Sequence, residues 1–133
     1  MTARRLNIGI RSAADGRREL RETFARISKG DRSVREPALY FESVDELRRV
    51  LTEKRFELLT AIVRERPASV HRLAQLLRRD YKNVSDDVAF FGRLGLIKLK
   101  TIAGKGRALT PTVPYDEIRV TIDLRHFGEV RAA

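Results

Sequence analysis

No cysteine occurs in the chain, so it can form neither a disulfide nor a thiolate metal site, a usage compatible with a reducing cytosol without proving one. Histidine is almost as scarce: His71 and His126 are too few for a zinc cluster, and neither metal nor cofactor is expected. No segment approaches the roughly 18 apolar residues of a membrane span, and the opening MTARRLNIGIRSAADG has no apolar run long enough for a signal sequence. The expectation is a soluble, cytoplasmic protein without a membrane partner. The motifs G-x-S-x-G, Walker A and H-E-x-x-H are missing, and scattered carboxylates with two isolated histidines do not make a nucleophile and its base. No catalytic residue is assigned, and the chain is expected not to be an enzyme; His71 reads as a surface or capping residue. The run AGKGR is too short for a phosphate-binding loop and reads as a hairpin tip. There is no internal repeat and no low-complexity tract.

What is abundant is positive charge. The formal net charge is +10 over 133 residues, a length suited to one compact domain with modest additions. Such an excess favours an anionic partner, because cations that neutralise nucleic-acid phosphates release condensed counterions. About +7 of it falls between Thr52 and Thr112, about +4 before and about −1 after. The charge gathers in one segment, and that segment is the most strongly patterned.

Taken in order, Leu6, Ile8 and Ile10 alternate with polar or small residues and suit a short strand. A helix is expected from about Ser12 to Ser28, with Leu20, Phe24 and Ile27 at helical spacing, followed by a loop from Lys29 to Pro37. ALYFES offers a second strand, and SVDE a capping box, with Ser43 as N-cap and Glu46 three residues on. Val44, Leu47, Val50 and Leu51 form that helix's apolar stripe. Thr52 is the expected N-cap of the next helix, in which Phe56, Leu59, Ile62 and Val63 line one side until Pro67 ends it. Ser69 caps a second helix with Val70, Leu73, Ala74 and Leu77 toward the core; Ala74 suits a close helix crossing. Arg78, Arg79 and Asp80 make the turn, and Asp80 caps a third helix. There Val84, Val88 and Phe91 cluster on one side, with Tyr81 and Leu94 at the margins and Gly95 at the stop. Ile97 and Leu99 alternate with Lys98 and Lys100, so one side of that strand is apolar and the other cationic, and Ala103 to Gly106 supply a turn. After Pro114, Ile118, Val120, Ile122 and Leu124 alternate as a further strand, and the residues from about His126 carry no strong pattern.

Three helices followed by a basic hairpin, with a Ser-capped short helix, a three-residue polar turn and a longer helix stopped by Leu-Gly-Leu-Ile, resemble the winged helix-turn-helix of MarR- and ArsR-type transcriptional regulators. The fold expected is α+β: a winged helix-turn-helix domain at 52–112, an N-terminal strand-helix extension with linker at 1–51 for dimerisation or partner binding, and an additional C-terminal strand and tail at 113–133. In that docking geometry the helix at 81–94 enters the major groove, N-terminal end deepest. Its candidate base-reading residues are Lys82, Asn83, Ser85, Asp86 and Ala89. The candidate backbone contacts are Arg72, Arg78, Arg79, Tyr81, Arg93, Lys98, Lys100, Lys105 and Arg107, with the 96–110 wing gripping the adjoining groove. For any one of these cations the alternative is a solvated surface charge; their clustering around one motif raises the group. Asp86 and Asp87 put negative charge on or near the reading face, where a carboxylate can accept from cytosine, brace a neighbouring Arg, or signal a module repurposed for protein contact.

The combination FESVDELRRVLTEKRFELLTAI followed by RDYKNVSDDVAFFGRLGLI resembles a narrower group of small predicted regulators, some encoded beside a small toxin of the TumE type and regarded as its antitoxin. That resemblance implies operator binding through the winged helix and a hold on the toxin by another part of the chain. Two functions are thereby expected in competition. One is a homodimeric regulator of double-stranded DNA, a repressor; the other is an antitoxin or protein-interaction module that binds a small toxin protein, using the N-terminal strand and helix or the apolar alternation at 118–124.

Overall fold

In the computed structural model residues 4–11, 18, 21–22, 24–26, 28–30, 38–102, 104 and 109–124 are described. The chain is a mixed α/β protein that divides into two compact units, Met1–Val50 together with Glu117–Ala133, and Leu51–Asp116. No helix among the described residues is long and apolar enough to cross a membrane.

The first unit is built on a parallel three-stranded sheet in the order β2-β1-β5, comprising β1 (Arg5–Ile10), β2 (Ala38–Phe41) and β5 (Glu117–Thr121). The alternation at Leu6 and Ile8 is that of a central strand: both side chains are buried, and Ile8 lies level with Leu39 on one flank and Val120 on the other. Parallel neighbours require a crossover. Of the described residues between β1 and β2, Arg18, Arg21, Glu22, Phe24, Ala25, Arg26 and Ser28 are helical, while Leu20 and Ile27 of the expected stripe and most of the 29–37 loop lie outside the described residues. Gly9 leaves room for its neighbour: a Cβ there would stand 3.0 Å from the Tyr40 ring, which also carries the Arg11 guanidinium at 4.7 Å. α1 (Val44–Val50) opens with the expected cap, Ser43 Oγ accepting from Glu46 N at 3.0 Å. The reciprocal bond runs one residue further back than a standard capping box, Glu46 Oε2 accepting from Glu42 N at 2.8 Å.

The sequence reading separates residues 1–51 from 113–133, whereas in the structure both belong to one sheet. Period-two alternation marks a strand without naming its partner, and β1 needs a ladder on each side. β5 ends at Thr121, so Ile122 and Leu124 lie beyond the strand, and Leu124 is 82% exposed. At its start, Glu117 Oε1 accepts from Arg5 Nε at 2.7 Å and Arg119 Nε at 2.9 Å. These hydrogen bonds, the Arg5 one foremost, hold the Glu117 carboxyl below its ordinary pKa of 4.5.

The second unit holds α2 (Glu53–Glu65), α3 (Val70–Leu77), α4 (Tyr81–Leu94) and an antiparallel pair, β3 (Lys98–Thr101) with β4 (Leu109–Thr112). Each helix starts at a side-chain cap: Thr52, Ser69 and Asp80 accept from Arg55 N, Arg72 N and Asn83 N at 3.3, 3.0 and 3.4 Å. Each ends on a left-handed residue, Arg66 at φ 46°, Arg78 at φ 54° and Gly95 at φ 84°. The core joins Leu58, Leu59, Ile62, Leu73, Ala74, Val84, Val88, Phe91, Leu96 and Ile97. Here one expectation is corrected. Phe56 and Val63 are each 41% exposed and Leu58 is fully buried, because the inward face of α2 is turned about 60° from the expected stripe at 100° per residue. The hairpin is tied to the loop before α3 by Thr110 Oγ1, which donates to Ala68 O at 2.6 Å.

Candidate nucleic-acid interface

The exposed side of α4 follows from what its other side buries. Val84, Val88 and Phe91 are engaged in the core, so Lys82, Asp86, Ala89 and Arg93, spaced four, three and four residues apart, are left as one exposed row. The row is about 16 Å long at 1.5 Å per residue. Asn83 is exposed on one shoulder. Ser85, on the other, is half-buried and borders a cavity of about 200 Å³ shared with Tyr81, Val88, Ala89, Leu99 and Leu109. Tyr81 is not a free phenol at the helix start: its ring stacks on His71, centroids 4.1 Å apart and planes 15° apart.

Arg72 and Arg78 are exposed at the two ends of α3, with Arg72 Nη1 donating to Gln75 Oε1 at 3.3 Å. Arg93 is exposed with its guanidinium 5.9 Å from the Phe90 ring. Lys98 and Lys100 are exposed on β3, while Leu99 between them, 37% exposed, borders the cavity it shares with Val88 and Ala89 of α4. Lys105 and Arg107, at the expected hairpin tip, lie outside the described residues.

Arg79 is the correction among the expected backbone contacts. Its Nη2 donates to Asp87 Oδ2 at 2.8 Å, its side chain is 20% exposed, and its Nη1 is buried without a hydrogen-bond partner among the described residues. It turns into the protein because Asp87, on the flank of α4, offers a carboxylate there.

A family model described as HVO_A0114 matches residues 50–120, just over half of the 133. The chain belongs to the HVO_A0114 family. The HVO_A0114 match takes in all three helices from α2 to α4, the hairpin, and the exposed row on α4. No curated protein and no solved structure matches the chain.

Within the HVO_A0114 segment, two residues absent from the sequence-derived site hold α4 in place. Asp87 Oδ1 accepts from Arg55 Nε at 3.2 Å, so one carboxylate joins α2, the turn before α4, and α4 itself. The Arg55 guanidinium also lies 4.4 Å over the Phe90 ring. The tandem Asp86-Asp87 was the available signal for this brace; Arg55, 32 residues away on another helix, carried none. Among the described residues no group of three or more His, Asp or Glu is placed to hold a metal ion.

Proposed function

We propose that this HVO_A0114-family chain is a sequence-specific double-stranded DNA-binding regulator, a repressor of winged helix-turn-helix type rather than an enzyme. In this reading α4 enters the major groove and the β3–β4 hairpin is the wing. The supporting observation is the exposed row Lys82, Asp86, Ala89 and Arg93, with Asn83 beside it, on a helix whose opposite side is locked into the core. A 14-residue helix suits a groove about 12 Å wide, and polar side chains along one face are what base edges require. Arg72, Arg78, Lys98 and Lys100 surround the row as exposed cations, a placement that suits phosphates on either side. Two copies would read half-sites about one helical turn apart.

The test is a mobility-shift titration with the DNA upstream of its own gene against random duplex of equal length, across a salt series. Specific binding that weakens steeply with salt is expected; equal affinity for the two duplexes would remove the regulator reading.

The second reading, a module that holds a small toxin, is favoured by one observation. β5 is an edge strand of its sheet among the described residues, with Val120 and Ile122 more than two-fifths exposed. Co-expression with the product of the neighbouring gene and recovery of a complex supports it; recovery of the chain alone counts against it.

A further inference from the structure

The two adjacent carboxylates of α4 have opposite surroundings. Asp87 is 15% exposed and saturated by Arg55 and Arg79. Asp86 is exposed, and among the described residues its carboxylate makes no hydrogen bond or ion pair, not even with the Lys82 ammonium one turn before it. The brace and the free acceptor, which the sequence leaves as alternatives, are therefore two different residues.

An ionised carboxylate only accepts hydrogen bonds, and phosphate oxygens repel it. On a major-groove face its partners are limited to the base amino groups, cytosine N4 and adenine N6. Adenine sets the N7 lone pair beside N6, where it opposes the second carboxylate oxygen; cytosine sets a C–H at that place. Guanine and thymine present O6 and O4 acceptors to the same approach. Resting on the DNA-reading proposal above, we infer that Asp86 is a specificity-determining residue that selects cytosine at one position of each half-site and rejects the other three bases.

The inference carries a second consequence of opposite sign. On unrelated DNA the same carboxylate finds no amino group and faces only phosphates and base acceptors, so it weakens non-specific binding. Specificity then comes partly from repulsion of wrong partners. Removing the side chain should strengthen binding to unrelated duplex while weakening discrimination, a pair of effects that a merely structural residue does not produce.

The experiment is selection of bound sites from random duplex by the full chain and by Asp86→Ala, followed by affinity measurements at one fixed salt concentration. Expected for the unsubstituted chain is an invariant cytosine in each half-site, whose replacement by thymine lowers affinity about tenfold. Asp86→Ala is expected to lose that invariance and to bind unrelated duplex several-fold more tightly, with an unchanged melting curve, since the side chain is exposed and has no hydrogen-bond or ion-pair partner among the described residues. Selected sites with no fixed cytosine, or an Asp86→Ala variant with the same preference and no gain on unrelated DNA, overturns the inference and leaves DNA reading intact. Failure of the unsubstituted chain to bind any duplex overturns both.

Discussion

Asp87 holds two arginines at once, and its worth depends on how far solvent reaches them. The three side chains are 15–23% exposed, so the 3–5 kcal/mol lost on breaking a fully buried pair must be discounted. Asp87→Ala should lower unfolding stability by about 2 kcal/mol in urea or thermal denaturation, because Arg55 and Arg79 would lose the carboxylate they share. The residues proposed to read bases should behave differently. Lys82→Ala with Asn83→Ala is expected to leave stability within about 0.5 kcal/mol, as surface substitutions do, and to erode preference for the cognate site more than Lys100→Ala, which should weaken all duplexes alike. Competition shifts with cognate and unrelated DNA separate the two. Glu117 carries the pH signature. Its folded pKa lies below 4.5, so its stabilising effect is complete above its unfolded value and is lost as the pH falls through the folded one. Glu117→Gln should therefore be less stable than the parent near neutrality and match it in acid, as denaturation at the two pH values would show. Of these side chains, the exposed row was legible from 3.6-residue spacing and the Arg79 contact was not, because its direction depends on a carboxylate eight residues along and a guanidinium on α2.

Helix ends were the most legible elements. Thr52, Ser69 and Asp80 each stand at a cap that their short oxygen-bearing side chains specify, and Gly95 takes the left-handed stop that a glycine suits. Arg66 and Arg78 take the same conformation without glycine's freedom, and nothing in a single arginine announces it. The pair makes an internally controlled prediction. Arg66→Gly and Arg78→Gly should each raise stability by about 0.5–1 kcal/mol through relief of the left-handed strain. Arg78→Gly alone should also weaken DNA binding on every sequence and reduce the salt slope by about 1, as loss of one phosphate contact would. α2 shows the limit of stripe reading. Its apolar residues Phe56, Leu58, Leu59, Ile62 and Val63 cover an arc of about 160° at 100° per residue, wider than the buried face, so which subset turns inward is decided by α3 and α4, not by α2's own spacing.

At the scale of the whole molecule, the α2–β4 unit is continuous in sequence, and its order of elements could be read from local pattern. The sheet of the other unit could not, because its central strand takes one neighbour from residues 38–41 and the other from residues 117–121. Val120→Pro should break the ladder opposite Ile8. Amide exchange is expected to accelerate at Asn7–Gly9 together with Ile118–Thr121, while the buried helical positions Val84, Val88 and Phe91 keep their protection. Acceleration spread evenly over both units would show that they open as one. The same pairing imposes an order of events during synthesis. A ribosome that has released residue 116 has delivered every element of the α2–β4 unit, yet the strand begun at residue 5 still waits for residues 117–121. Until then Leu6 and Ile8 lack one side of their shelter, and the newborn chain carries an open β-edge at residues 5–10 while the α2–β4 unit is already complete.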